Sequence, residues 1–219
     1  MQNGRSAKDN LKRILRKKVL EAVRTFGPAE VSGTKNHESQ RCVSFSEVPL
    51  THLGSLTCAI PKRQIKLSPY GVAFTKMRMR EKGANPVWYV DITPTHEWLI
   101  NSIIRMIAAE VKRLRRRFWE SDLANLCPFI EQMGSGSRQD GFGYKKEFWC
   151  EREWRYRGNF NFGYSEIAFG LAPETDVEEF EDLMRRRRSR TSRKIRFLDT
   201  AWSADTTIAH LCGSVELML

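Results

Sequence analysis

The chain has 219 residues, with 37 Lys and Arg against 26 Asp and Glu, and a formal net charge of +11 at pH 7. A hydrophobic fraction of 41% is enough for a folded core and excludes a wholly disordered chain. The longest apolar stretch, Trp98–Ala109, is broken by Asn101, Ser102 and Arg105 and is too polar to span a bilayer. Met1–Arg16 lacks the apolar run of a secretory signal, so the expected compartment is the cytoplasm.

Lys8–Phe26 reads as a first helix, because Leu11, Ile14, Leu15, Val19, Leu20 and Val23 recur at helical spacing before Gly27-Pro28. Arg41–Phe45 is a strand ended near Pro49, and Leu50–Leu56 is a brief helical turn. Gln64–Leu67 and Gly71–Lys76 are strands joined by a turn at Ser68-Pro69-Tyr70-Gly71. Val87–Ile92 is rich in β-branched and aromatic residues and reads as a strand. Thr95 would cap the longest helix, His96–Glu120, whose apolar positions include Leu99, Ile103, Ile107 and Val111. Gly134–Gly143 reads as a flexible loop, Lys146–Tyr156 and Tyr164–Leu171 as strands, and Val177–Met184 as an acidic helix. Ile195–Leu198 is a last strand and Thr206–Leu211 a final helical turn. The expected class is α+β, a mixed or antiparallel sheet with one long amphipathic helix. A single domain over residues 1–219 is expected, with an N-terminal helix in 1–26, a flexible loop at 134–143 and an exposed basic segment at 185–194.

The five cysteines (Cys42, Cys58, Cys127, Cys150 and Cys212) include no Cys-x-x-Cys pair, and His37, His52, His96 and His210 lack ligand spacing. No disulfide framework and no metal is expected from such a set. The positive charge is concentrated in Lys112, Arg113, Arg115, Arg116 and Arg117, and in Arg185, Arg186, Arg187 and Arg188, continuing through Arg190, Arg193 and Lys194. Nucleic acid, a phosphate-bearing ligand or an acidic partner protein would match it, and a solvated face is the simpler alternative. No aromatics interleave with these runs, so nucleic-acid binding rests on charge alone.

Two clusters carry possible chemistry. In Phe148–Arg155, strand periodicity puts Glu151, Glu153 and Arg155 on one face, the carboxylates about 7 Å apart. Such a pair could orient a ribose hydroxyl, stabilise a developing cation or bind a basic partner; an edge strand facing solvent is the plain alternative. In Cys42–Leu50, Ser44 and Ser46 share a side, Val43 and Phe45 face the core, and Glu47 ends the strand. Tyr70, before Gly71, could stack on a ring or cover a core edge.

The stretches Cys42–Leu50 (CVSFSEVPL), Tyr70–Phe74 (YGVAF), Gly83–Val90 (GANPVWYV) and Glu151–Arg155 (EREWR) together resemble the AbiGi family of bacterial abortive-infection, phage-resistance proteins. With Asn10–Leu15, the resemblance reaches to about Gly170. It implies a partner, since such proteins look like the antitoxin side of a two-gene system opposite a nucleotidyltransferase-like toxin. The layout also resembles a distant ADP-ribosyltransferase fold. That likeness implies NAD as cofactor, Glu151 and Glu153 as the acidic pair with Glu153 the catalytic carboxylate, and a nicotinamide pocket shaped by Ser44 and Ser46. Tyr70 would stack, and Glu47 and Arg155 would complete the ligand-binding set. Such folds open with a strand bearing a nucleotide-holding His or Arg, and here Arg5 is the sole candidate. Three readings follow: an antitoxin-like, non-catalytic partner of a toxin; an enzyme transferring a glycosyl group from NAD; and a basic nucleic-acid-binding module.

Overall fold

The computed structural model describes residues 6–28, 37–58, 67–137, 143–146, 152–187 and 194–213. In chain order the first elements are α1 (Ala7–Lys17), β1 (Val19–Leu20), β2 (Arg24–Thr25), β3 (Arg41–Ser46), β4 (Gly71–Phe74) and α2 (Lys76–Glu81). There follow β5 (Asn85–Pro86), β6 (Trp88–Asp91), α3 (Trp98–Leu114), α4 (Asp122–Leu126), β7 (Ile130–Ser137) and β8 (Gly143–Lys146). The last are β9 (Glu153–Arg157), β10 (Phe160–Asn161), β11 (Ile167–Leu171), α5 (Glu174–Arg187), β12 (Phe197–Leu198) and α6 (Ala204–Cys212). Helices with antiparallel and mixed sheets make this an α+β protein.

The described chain forms two compact units, each assembled from separated stretches. The first takes residues 1–19, 48–79 and 161–219; the second takes 20–47 and 80–160.

In the first unit, Ser6 caps α1 by accepting the Asp9 N–H at 3.1 Å, and Leu11 and Leu15 are buried along its inner side. The helix stops earlier than the apolar spacing predicts. Lys18 adopts the left-handed conformation (φ 54°) and its N–H returns to the Ile14 carbonyl at 2.7 Å, so Val19, Leu20 and Val23 lie outside the helix. Strand β11 is central in a three-stranded sheet, antiparallel to β4 and parallel to β12. Phe180 and Met184 of α5 are buried, and the Phe180 ring stacks on Phe197 at 5.1 Å between centroids.

In the second unit, β3 and β9 pair antiparallel at the centre of a sheet ordered β2-β3-β9-β5. A second sheet places β7 between β6, which runs parallel to it, and antiparallel β8. Ile100, Ile103 and Ile107 of α3 form a core with Val90, Phe118, Cys127 and Ile130. Helix α3 begins at Trp98 without Thr95 as its cap, because Thr95 itself has φ 77°. The Gly-rich segment expected to be a loop starts within β7. There Gly134, at φ 114°, lets the strand pass Asp91 and Thr93: a Cβ on it would lie 2.5 Å from the Asp91 Oδ1. The expected strand Gln64–Leu67 falls almost wholly outside the described residues.

Candidate functional site

Strand β3 presents Ser44 and Ser46 to the outside, while Cys42 and Val43 are buried. Across the ladder Ser44 lies opposite Arg155 and Ser46 opposite Glu153. This register brings the early hydroxyls and the late carboxylate together. Ser44 Oγ donates to Glu153 Oε1 at 2.6 Å. The alternation expected for the late strand holds for Glu153 and Arg155, which share a face and touch. Glu151 and Arg188 lie outside the described residues.

Arg155 is the centre of this cluster. Its Nε donates to Glu153 Oε1 at 2.9 Å, and its Nη2 to Glu153 Oε2 at 3.1 Å and to Glu131 Oε2 at 2.5 Å. Its Nη1 donates to the Pro128 carbonyl at 2.7 Å, and the guanidinium lies 4.0 Å from the Phe26 ring centroid. The Arg155 side chain is 1% exposed, against 14% for Glu153 and 17% for Glu131. Burial alone would loosen the proton of Arg155, but the bonds and charges of Glu153 and Glu131 outweigh it and raise the pKa above its ordinary value. Nearby, burial pushes the Cys42 thiol up to about 11.

Glu47 follows β3 and is held by two side chains of the late segment. Arg152 Nη2 donates to its Oε1 at 2.7 Å, and Trp154 Nε1 to its Oε2 at 2.9 Å. Ser44, Glu47, Glu153 and Arg155 therefore gather along the β3–β9 pair, with Ser46 beside them by register. Tyr70 belongs to the first unit. There its hydroxyl donates to Asp176 Oδ2 at 2.7 Å, and Lys8 Nζ donates to Oδ1 at 2.7 Å.

The basic runs are exposed where they are described. Arg113 pairs with Glu110 within α3, and Arg115, Arg116 and Arg117 follow in a short 3-10 turn. Arg185 pairs with Asp182 near the end of α5, followed by exposed Arg186 and Arg187. Among the described residues, no three His, Cys, Asp or Glu side chains come together to hold a metal ion, and no helix is long and apolar enough to cross a membrane.

Glu131 and Phe26 complete the surroundings of Arg155, and neither is among the residues that the sequence patterns single out. The only signal for Glu131 was its place after Pro128 in the apolar–polar run Phe129-Ile130-Glu131, and nothing local tied it to a residue so far along the chain.

A family model described as "Putative abortive phage resistance protein AbiGi, antitoxin" matches residues 13–197 of the chain. No curated protein and no solved structure matches it.

Proposed function

The chain belongs to the AbiGi family of abortive phage resistance antitoxins, and from that premise we propose that it restrains a cognate toxin protein without catalysing a reaction. The observation that supports a non-catalytic role is the engagement of Glu153. Oε1 accepts from both Ser44 and Arg155, and Oε2 accepts from Arg155. A carboxylate acting on a ribose would have to give up part of this partly buried, charge-assisted set. In this reading the cluster fixes the β3–β9 pair, and the defence activity resides in recognition of the toxin. The test is co-expression with the product of the neighbouring gene in the defence locus. Wild type and Glu153→Gln, which keeps an acceptor for Ser44, should restore growth equally. Loss of rescue in a folded Glu153→Gln protein would refute the non-catalytic role.

A second reading, an ADP-ribosyltransferase-like enzyme using NAD, is favoured by one observation. The β3–β9 register puts Ser44 and Ser46 beside Glu153, and the resemblance assigns roles to these three residues. Thermal shift with NAD separates the two. A stabilisation of the wild type that vanishes in Glu153→Gln supports the enzyme, and no shift at any NAD concentration removes it.

A further inference from the structure

The inward side of α3 is committed to the core through Ile100, Ile103 and Ile107. At about 100° per residue, the opposite side brings Trp98, Arg105, Ala109 and Lys112 into one line, with Met106 at its flank. All five are exposed, Trp98 at 69% and Met106 at 53%. No carboxylate interrupts the line, and Glu110, about 120° round the helix from Trp98, is bound to Arg113. The helix then turns through Arg115, whose φ of 52° and ψ of −120° suit glycine rather than arginine, and the exposed cations continue to Arg116.

We infer that this outward face of α3 docks an acidic surface of a partner protein, an inference that rests on the toxin-restraining reading above. Its cations call for an anionic complement, which gives orientation and association rate. Trp98 and Met106 supply apolar anchors of the type that dominate protein interfaces, and Ala109, one turn beyond Met106, leaves room there for close approach. A second copy of the chain would bring the same cations and a net charge of +11, so it repels. Duplex nucleic acid would match the cations through its phosphates, but that charged backbone offers no apolar surface to Met106, which would have to reach the bases themselves.

Binding to the product of the neighbouring gene, measured by titration calorimetry, tests the assignment. Trp98→Ser and Arg105→Glu/Lys112→Glu should each weaken binding at least about tenfold, and wild-type affinity should fall between about 50 and about 300 mM salt. Arg186→Glu/Arg187→Glu, on α5, should leave affinity within about twofold, because the proposal confines the docking cations to α3. In the unmodified protein, hydroxyl-radical oxidation of Trp98 and Met106 should drop when the complex forms, a readout that needs no variant to fold. A complex that tolerates the α3 variants, with no protection of Trp98, overturns the docking face and leaves the toxin-restraining reading standing. Absence of any complex, together with failure to rescue growth, overturns both. A self-association lost in Trp98→Ser, or duplex DNA binding lost in Arg105→Glu/Lys112→Glu, overturns the choice of an acidic protein.

Discussion

Arg155 and Glu153, two positions apart on β9, clasp one another along a single strand face, with Nε 2.9 Å from Oε1 and Nη2 3.1 Å from Oε2. The same guanidinium reaches Glu131, so one buried cation organises two carboxylates. Removing it takes the guanidinium from both carboxylates, although Glu153 keeps its bond from Ser44 and Glu131 its bond from the Gln132 N–H. Arg155→Met should cost about 3 kcal/mol, at the low end of such losses because both carboxylates keep some access to water. Arg155→Lys should recover little, since an ammonium cannot reproduce the two-pronged contact. Urea unfolding checks both, and a loss below about 1 kcal/mol for Arg155→Met would mean that the network adds little to stability.

Two glycines with positive φ should respond differently to alanine. A Cβ on Gly27 (φ +91°) would sit 1.8 Å from the Cys127 carbonyl oxygen, whereas Gly158 (φ +76°) has nothing within 4 Å of that position. Gly158→Ala should cost about 1 kcal/mol, the strain of the left-handed conformation alone. Gly27→Ala should lose at least about 2 kcal/mol, because backbone must move as well. Equal losses in chemical denaturation would contradict the close approach.

Thiol reactivity should sort the described cysteines. Cys58 and Cys212 are exposed, Cys42 and Cys127 are buried, and burial pushes the Cys42 thiol up to about 11. A thiolate is the reactive form, so Cys42 should resist modification at pH 8. In a Cys150→Ser background, Ellman's reagent should label two thiols quickly and the other two only on unfolding. Rapid labelling of Cys42 in the folded protein would contradict its placement.

Acid should weaken the first unit through Asp176. The hydrogen bonds from Lys8 and Tyr70 hold its carboxyl below the ordinary range. A depressed carboxylate stabilises the fold above its unfolded pKa of about 3.9, and that contribution is lost as pH falls through the lower folded value. Asp176→Asn should therefore melt below the wild type at pH 7, and the gap should close below about pH 4. Tyr70 carries the opposite sign. Its bond to Asp176 raises its pKa, so its contribution holds at neutral pH and fades as pH rises past its unfolded value of about 10. Melting curves for wild type and Asp176→Asn that stay parallel from pH 3 to 7 would rule out the linkage.

Much of the candidate site was legible because alternation along a strand is a local rule. Ser44 and Ser46 share an outward side of β3, and Glu153 and Arg155 share a face of β9, as periodicity predicts. The inward side of α3 was legible for the same reason, with Ile103 and Ile107 at helical spacing and both buried. Boundaries were not. Val19, Leu20 and Val23 keep the helical period of α1 although the chain turns at Lys18, since apolar spacing records burial and not backbone direction. Gly134 and Ser135 look like loop residues by composition, yet they belong to β7, where a small residue is needed to pass Asp91 and Thr93. The Arg155–Glu131 pair joins distant segments, and no local pattern encodes it.

The division of the chain has a consequence for its synthesis. The second unit has all its residues once Phe160 has been added, but β4 of the first unit pairs with β11 and must wait for Ile167–Leu171. At about 5–20 residues per second, that wait after Phe74 lasts roughly 5–20 s. During it, Gly71–Phe74 remains an unpaired edge on the nascent polypeptide, open to proteases and chaperones until the ribosome delivers its neighbour.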